Sequence, residues 1–478
     1  MFYLTKHQTT ADYEAAESEL LLPHVALIED DMQVHYKPPH DYSKDYLTFK
    51  AREQGTFTLT IGSAVTTSIL ASISYSTDGG ETWTTTNNQN STTVTITTPT
   101  INEGDKVLWK GTGTAMSVAT SSTAKADRLA SSSIFSGTSM FNIEGNILSL
   151  IYGDNFADKD YVPEGSSSNF ALLFYAVDTS NYAKVVSAKH LCLPVTTLTN
   201  FVYGRMFQGC SGLTTAPQLP ATTLANDCYN QMFYNCTSLT ITPELPATTL
   251  AADCYYAIFG NCTSLTMAPQ LPATTLAAEC YSYMFYGCTS LTTAPSLSAT
   301  TLAYACYARM FQGCTSLTTA PVLYGTTLAT YCYTYMFQDC TSLTTAPVLS
   351  ATTLANQCYQ HMFQGCTSLT TAPDLPATNL SGADYCYTYM FQGCTSLTTA
   401  PELPATTLAI GCYYQMFSGC TSLNSITCLA TDISASNCTS NWVSGVSASG
   451  TFTKAASMTS WTSGPSGIPS NWTVQNAT

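Results

Sequence analysis

The segment from Asn230 to Cys254, NQMFYNCTSLTITPELPATTLAADC, is one unit of a repeat that runs from about residue 192 to about residue 428. One cysteine sets its period. Cys210, Cys236, Cys262, Cys288, Cys314, Cys340 and Cys366 follow at steps of 26 (236 − 210), Cys394 comes after 28 and Cys420 after 26 again. The longer step is an insertion around Ser381 and Gly382. A second cysteine keeps the beat from Cys228 and Cys254 through Cys412 and Cys438. Self-similarity at such a period predicts a solenoid, because one unit cannot bury its own apolar face.

Two apolar periodicities lie inside the unit. Leu224, Cys228, Met232 and Cys236 recur every four residues, with Tyr229 and Phe233 beside them, which predicts an amphipathic helix or a string of helical turns. In SLTITP, Leu239 and Ile241 alternate with threonines as in a short strand, until Pro243 removes an amide. Short strands stacked at roughly 4.8 Å would form one wall and helical turns the other, so that nine or so coils give an α/β rod on the order of 40 Å long.

Composition limits the function. Only 9% of residues are charged, and the net charge of −15 with a pI near 4.6 argues against a nucleic-acid surface, which needs clustered Lys and Arg. Between residues 192 and 428 the only Lys or Arg are Arg205 and Arg309. All 20 cysteines lie at or after Cys192. Cys228 and Cys236, eight residues apart on one helix, would be about 12 Å apart, too far to bridge. Pairing stacked neighbours would break the equivalence of the coils. The cysteines therefore read as buried free thiols with no disulfides expected, and without CxxC or His/Cys clustering no metal or cofactor is expected either. The N-terminal stretch lacks an uninterrupted apolar signal core, since LLLPHVALI is broken by Pro23 and His24, and no segment is long enough for membrane insertion. A reducing compartment fits such a chain.

Along the chain, residues 1–44 read as an attachment segment, with a helix around Tyr13 to Leu22 followed by the strands VALI and MQVHYK. Residues 45–116 alternate as short strands, LTFKA, TFTLTI, ILASISYS, TVTITT and KVLWK, predicting a small β-sandwich in which Tyr75 and Trp83 meet across an Asp-Gly-Gly hairpin. Residues 117–169 hold a polar linker and two further strands. The solenoid is placed at 170–428, beginning with a degenerate coil, and 429–478 forms a C-terminal cap using Trp442, Trp461 and Trp472.

The unit MFxGCTSLTTAPxLPATTLAxxCY resembles the BspA-like leucine-rich repeats, the 26-residue repeat of bacterial surface proteins, over about half of the chain. The resemblance implies a leucine-rich-repeat α/β solenoid used for adhesion or recognition, with no catalytic residues to carry over. The flanks, including the tail GTFTKAASMTSWTSGPSGIPSNWTV, are similar to proteins carried by phages and prophages of gut bacteroidetes.

Comparing coils separates constrained from free positions. The variable ones are 226, 227, 230, 231, 234 and 235 and their equivalents, expected on the helical face opposite the invariant one. The residue before Met reads Gln231, Ala257, Tyr283, Arg309, Tyr335, His361, Tyr389 and Gln415. Four residues earlier stand Asp227, Asp253, Glu279, Ala305, Tyr331, Gln357, Tyr385 and Gly411. Tyrosines and amides with one Arg resemble a paratope composition, which makes Asp227, Gln231, Tyr283, Arg309, Tyr331, Tyr335, His361, Tyr385, Tyr389 and Gln415 the candidate ligand-binding stripe. Drift on a solvated face is the competing reading, and His361 alone reads as an exposed side chain. Aligned acids without a general acid or pocket do not make a glycosidase pair, so a glycan-degrading tail spike is the minor alternative. The chain reads as a non-enzymatic virion tail-fibre or tail-tip protein. Its N-terminal segment would bind other tail proteins and its solenoid a host-surface glycan or protein, with a homo-oligomer left open. A bacterial cell-surface adhesin is the alternative.

Overall fold

The computed structural model describes the backbone of residues 3–7, 24–28 and 33–37, then residues 40–478 except 91, 119–124, 165–166 and 177–183. The helix expected around Tyr13 to Leu22 lies outside the described residues. Strands β1 (Tyr3–His7), β2 (His24–Ile28) and β3 (Gln33–Lys37) form a three-stranded sheet, with β1 parallel and β3 antiparallel to β2.

Two sheets follow. β4 (Leu47–Ala51), β6 (Leu70–Ser76), β7 (Thr84–Asn87) and β9 (Lys106–Gly113) join β11 (Phe141–Asn146) and β12 (Val185–Cys192) in the order β12-β11-β4-β9-β6-β7. β5 (Phe57–Ile61), β8 (Val94–Thr97) and β10 (Ser133–Gly137) form the second sheet, in the order β10-β5-β8. In β5, Phe57, Leu59 and Ile61 are buried while Thr58 and Thr60 are half-exposed, the alternation of a strand with one face on a core. Phe49 sits at the centre of that core, its ring 4.7–5.9 Å from those of Phe57, Trp109, Phe135, Phe141 and Phe174. Tyr75 and Trp83 do not meet across the hairpin. Tyr75 pairs with Thr84 and packs on Trp109, while Trp83 packs on Tyr46 and under the Lys110 ammonium. β12 couples this region to the repeats: it is parallel to β11 on one side, and its Ser187 bridges Thr215 of the first coil on the other.

The wall expected to be helical contains no helix among the described residues of the repeats. It is a chain of overlapping four-residue turns. Asn230, Met232, Tyr234 and Cys236 donate their amides to carbonyls three residues back, at Asp227, Tyr229, Gln231 and Phe233. The alternate amides reach forward instead. Asp227, Tyr229, Gln231, Phe233 and Asn235 donate to Ala252, Cys254, Tyr256, Ile258 and Gly260 of the next coil. Every fourth residue, Asp227, Gln231 and Asn235, is left-handed with φ of 54–62°, the conformation that a type II turn requires at its third residue. The reason was present in the spacing. An α-helix turns about 40° past a full circle for every four residues, so three such steps carry a stripe roughly 120° around the axis. A period of four held from Leu224 to Cys236 keeps one face only if the backbone closes a turn every four residues.

The opposite wall is thinner than a sheet. Thr215↔Ile241, Met267↔Thr293, Thr319↔Thr345 and Thr345↔Thr371 are isolated parallel bridges. In these coils proline follows the bridging residue by two, as at Pro217 and Pro243, and ends the ladder. The last coil has Thr427 where the coil before has Pro401, and there a true strand forms: β13 (Ser425–Cys428), paired in parallel with β14 (Thr451–Lys454) and through it with β15 (Thr473–Asn476).

Inside the coils, side chains stack in register. Tyr203, Tyr229 and their equivalents to Tyr413 form one column, with ring centroids 5.7–6.1 Å apart. Phe207 to Phe417 form a second at 5.6–5.9 Å. Trp442 closes both, 6.1 Å from Tyr413 and 6.2 Å from Phe417, with Trp461 stacked behind it. The cysteines are free thiols. Those of the 236 column donate from Sγ to the phenylalanine carbonyl of the preceding coil, as Cys236 does to Phe207 at 3.2 Å and Cys420 to Phe391 at 2.9 Å. Burial pushes the Cys288 thiol up to about 12, so it is no nucleophile at neutral pH. Thiol titration checks this: the native chain should react at Cys192, the one cysteine not fully buried, and the denatured, unreduced chain at all 20. A lower count after denaturation would mean disulfides.

Candidate functional site

The turn geometry decides which variable residues can meet. Three left-handed columns run along the rod. The one through Asn235 holds Gly209, Asn235, Asn261, Gly287, Gly313, Asp339, Gly365, Gly393, Gly419 and Gly445, all at positive φ. These are the residues that tolerate the left-handed region. The other two columns depart from that rule at most of their coils, and they are the two rows singled out from the sequence. Asp227, Gln231, Tyr283, Arg309, Tyr331, Tyr335, His361, Tyr385, Tyr389 and Gln415 all have φ between 49 and 62°. They do not project from a solvated helical face. Most are half-buried, and His361 is only 9% exposed because a tyrosine covers each of its faces.

Six of the ten are brought together. The Arg309 guanidinium lies 5.3 Å from the centre of the Tyr283 ring and 3.9 Å from that of Tyr335. Tyr335 stacks on His361 at 4.2 Å, His361 on Tyr389 at 4.4 Å, and Gln415 Nε2 donates to the Tyr389 hydroxyl at 3.3 Å. Tyr331 meets Tyr304 edge to face at 5.7 Å, and Tyr385 leans over Gly411, filling the space a side chain there would need. Asp227 and Gln231 stay apart from this stack. Asn230 Nδ2 donates to Asp227 at 2.8 Å, and Gln231 Oε1 accepts from Gln208 at 3.0 Å.

One row was missed. Gln312, Gln338, Gln364 and Gln392 stand beside the stack, each handing Nε2–H to Oε1 of the next glutamine, and Gln392 donates to Gln415 at 3.2 Å. Arg309 donates to Gln312 Oε1 at 3.1 Å and His361 Nδ1 faces Gln364 Oε1 at 2.7 Å, so stack and ladder are bonded to each other. The recurring MFQ of coils 208, 312, 338, 364 and 392 was the signal.

The wall has a second zone, in which Asp227, Asp253 and Glu279 occupy successive places of one column. Burial, then the neighbouring Glu279 and Asp227, raise Asp253 to about 6. Burial, and less so Arg309, lower His361 to about 4.

A family model described as the BspA type leucine rich repeat region matches residues 180–318, 227–370 and 384–447, in six copies. No curated protein matches the chain.

Strain at Tyr335 and charge at Asp253 and His361 each bear on stability. Left-handed backbone costs a bulky residue roughly 1–2 kcal/mol, while each ring pair returns about 0.5–1.5 kcal/mol and a cation–π contact about 0.5–1. Tyr335→Asn, which places at that position the residue type found at Asn441 (φ 51°), should therefore shift thermal stability little. Tyr335→Ala keeps the strain, loses the stacking and should melt lower. The pH effects have opposite signs. With its folded pKa raised, Asp253 withdraws stability as pH climbs from 3.8 to about 6, so Asp253→Asn should raise the melting temperature at pH 7 and not at pH 3.5. His361, with its folded pKa depressed, contributes stability above 6.5 that is lost as pH falls toward 4, so His361→Gln should flatten the melting temperature over that interval.

Proposed function

Because the chain belongs to the BspA-type leucine-rich repeat family, we propose that it is a binding protein whose recognition surface is the wall of left-handed columns, used for adhesion rather than catalysis. The observation that carries this is the Tyr283, Arg309, Tyr335, His361, Tyr389 stack. Strain and stacking nearly offset each other there, so stability gives no net reason to prefer five large side chains over the Gly, Asn and Asp of the neighbouring column. Contact with a ligand gives one, since rigid aromatics and half-exposed amides offer area and hydrogen bonds at small entropic cost.

The finer reading is a tail-fibre or tail-tip component of a phage virion. In it the segment bearing β1–β3 attaches to other tail proteins and the coil stack meets the host surface. The free thiols support it, because a chain made in a reducing cytoplasm and released by lysis needs no disulfide. The family match favours a second reading, an adhesin on the surface of the bacterium itself.

Two measurements test these readings. Immunogold labelling should decorate particles rather than cells; label on cells alone would replace the virion with the adhesin. Purified chain carrying Tyr283→Asn, Tyr335→Asn and Tyr389→Asn should keep its circular dichroism and lose attachment to the bacterial strains that the unaltered chain binds. Unchanged attachment would remove this wall as the recognition surface.

A further inference from the structure

The glutamine ladder is a polar device with a direction. From Gln312 to Gln392 every Nε2 points to the Oε1 one coil on, and the row ends at Gln415. A primary amide has two N–H groups; the ladder takes one from each of Gln312, Gln338, Gln364 and Gln392, and the Tyr389 hydroxyl takes one from Gln415. All five side chains are half-exposed, so a second, similarly oriented N–H remains on each for something outside the chain. Gln364 Oε1 can only accept, which makes His361 Nδ1 the donor in their contact and leaves His361 Nε2 an acceptor in the neutral ring.

These groups are neutral, and most of them both donate and accept. Phenol, amide and imidazole match hydroxyl groups better than they match charges. The cation of this stretch, Arg309, is held between the rings of Tyr283 and Tyr335 and bonded to Gln312, and the other guanidinium of the column, Arg205, lies four coils away beside Asp227. A protein interface would want an apolar, desolvated centre. The four most exposed, Ile241, Met267, Val322 and Val348, belong instead to the bridged side of the coils, and the exposed Tyr304 and Ile410 lie one residue before the column of Ala305 and Gly411 rather than in the stack. A polyanion would be repelled by Asp227, Asp253 and Glu279 farther along the same wall. The same amide recurs once per coil, at a spacing near 5 Å set by stacked backbones, a length comparable to one pyranose unit.

We propose that the wall from Gln312 to Gln415 binds a neutral, linear glycan lying along the axis of the coil stack, with sugar hydroxyls on the spare amide N–H groups and on the edges of Tyr335, His361 and Tyr389. This names the ligand class for the binding reading above and rests on it.

The test uses the full chain, with cellulose, dextran, mannan and xylan fragments of graded length as probes, alongside attachment to whole cells. Binding to one of the four should strengthen with each added sugar up to about five units, one per ladder glutamine from Gln312 to Gln415, and then level off. That length dependence is read on the unaltered chain. Gln338→Leu with Gln364→Leu should weaken binding about tenfold or more for the hydrogen bonds removed, while the circular dichroism stays unchanged. Periodate oxidation of the cell surface should abolish attachment and protease treatment should not. Attachment that resists periodate and is lost to protease overturns the glycan while leaving the binding reading intact. Absence of attachment to any cell or probe removes both. Preference for a sulfated or uronate polymer over all four neutral ones overturns the neutrality of the ligand.

Discussion

The coil stack depends on a backbone that spends its amides in alternation. One closes a four-residue turn, and the next reaches the carbonyl of the following coil. A helix would have kept all of them within the segment. Because half are given away, a single coil would leave a row of amides unpaired, and each added coil satisfies the one before it. The left-handed residue at every fourth position makes this possible, since it squares the path so that successive amides point inward and along the stack.

That squared path also fixes the interior. With no drift between coils, equivalent side chains fall on top of each other, and tyrosine and phenylalanine stack ring over ring until Trp442. Cysteine suits the corners because it is small, apolar and still able to give a second hydrogen bond to a phenylalanine carbonyl that already accepts within its turn. At the other end the same stacking reaches back into the β-region. Phe207 lies 5.2 Å from Phe174, which packs toward Phe49 and Phe135, and β12 carries the hydrogen bonding across. The result is one continuous apolar core from Leu47 to Trp472.

The outer wall is divided by the same geometry. Each left-handed column places like positions in contact, so neighbours must be chosen together. Acids placed in succession, as at Asp227, Asp253 and Glu279, add to the burial that raises the proton affinity of the middle one, Asp253, whereas Tyr, Arg, Tyr, His and Tyr can share faces. Proton binding in the two zones therefore changes stability in opposite directions over a similar pH interval.

The sequence by itself determined the repeat, its register, the buried and variable positions and the strands preceding the coils, because each is a matter of which residue types recur and at what spacing. It also held the clue to the turns in a period of four, but apolar periodicity reports a face and not the hydrogen bonds that make it, so a helix and a string of turns share the pattern. Only the tertiary structure decided that the amides of Asp227, Tyr229 and Gln231 go to the next coil, that Pro217 and Pro243 thin the opposite wall to single bridges, and that β12 belongs to two layers at once. It alone placed Tyr335, His361 and Tyr389 face to face beside an amide ladder. Residues 26 or 28 apart in sequence touch only because the coils stack without rotating, and no pattern within one unit contains that fact.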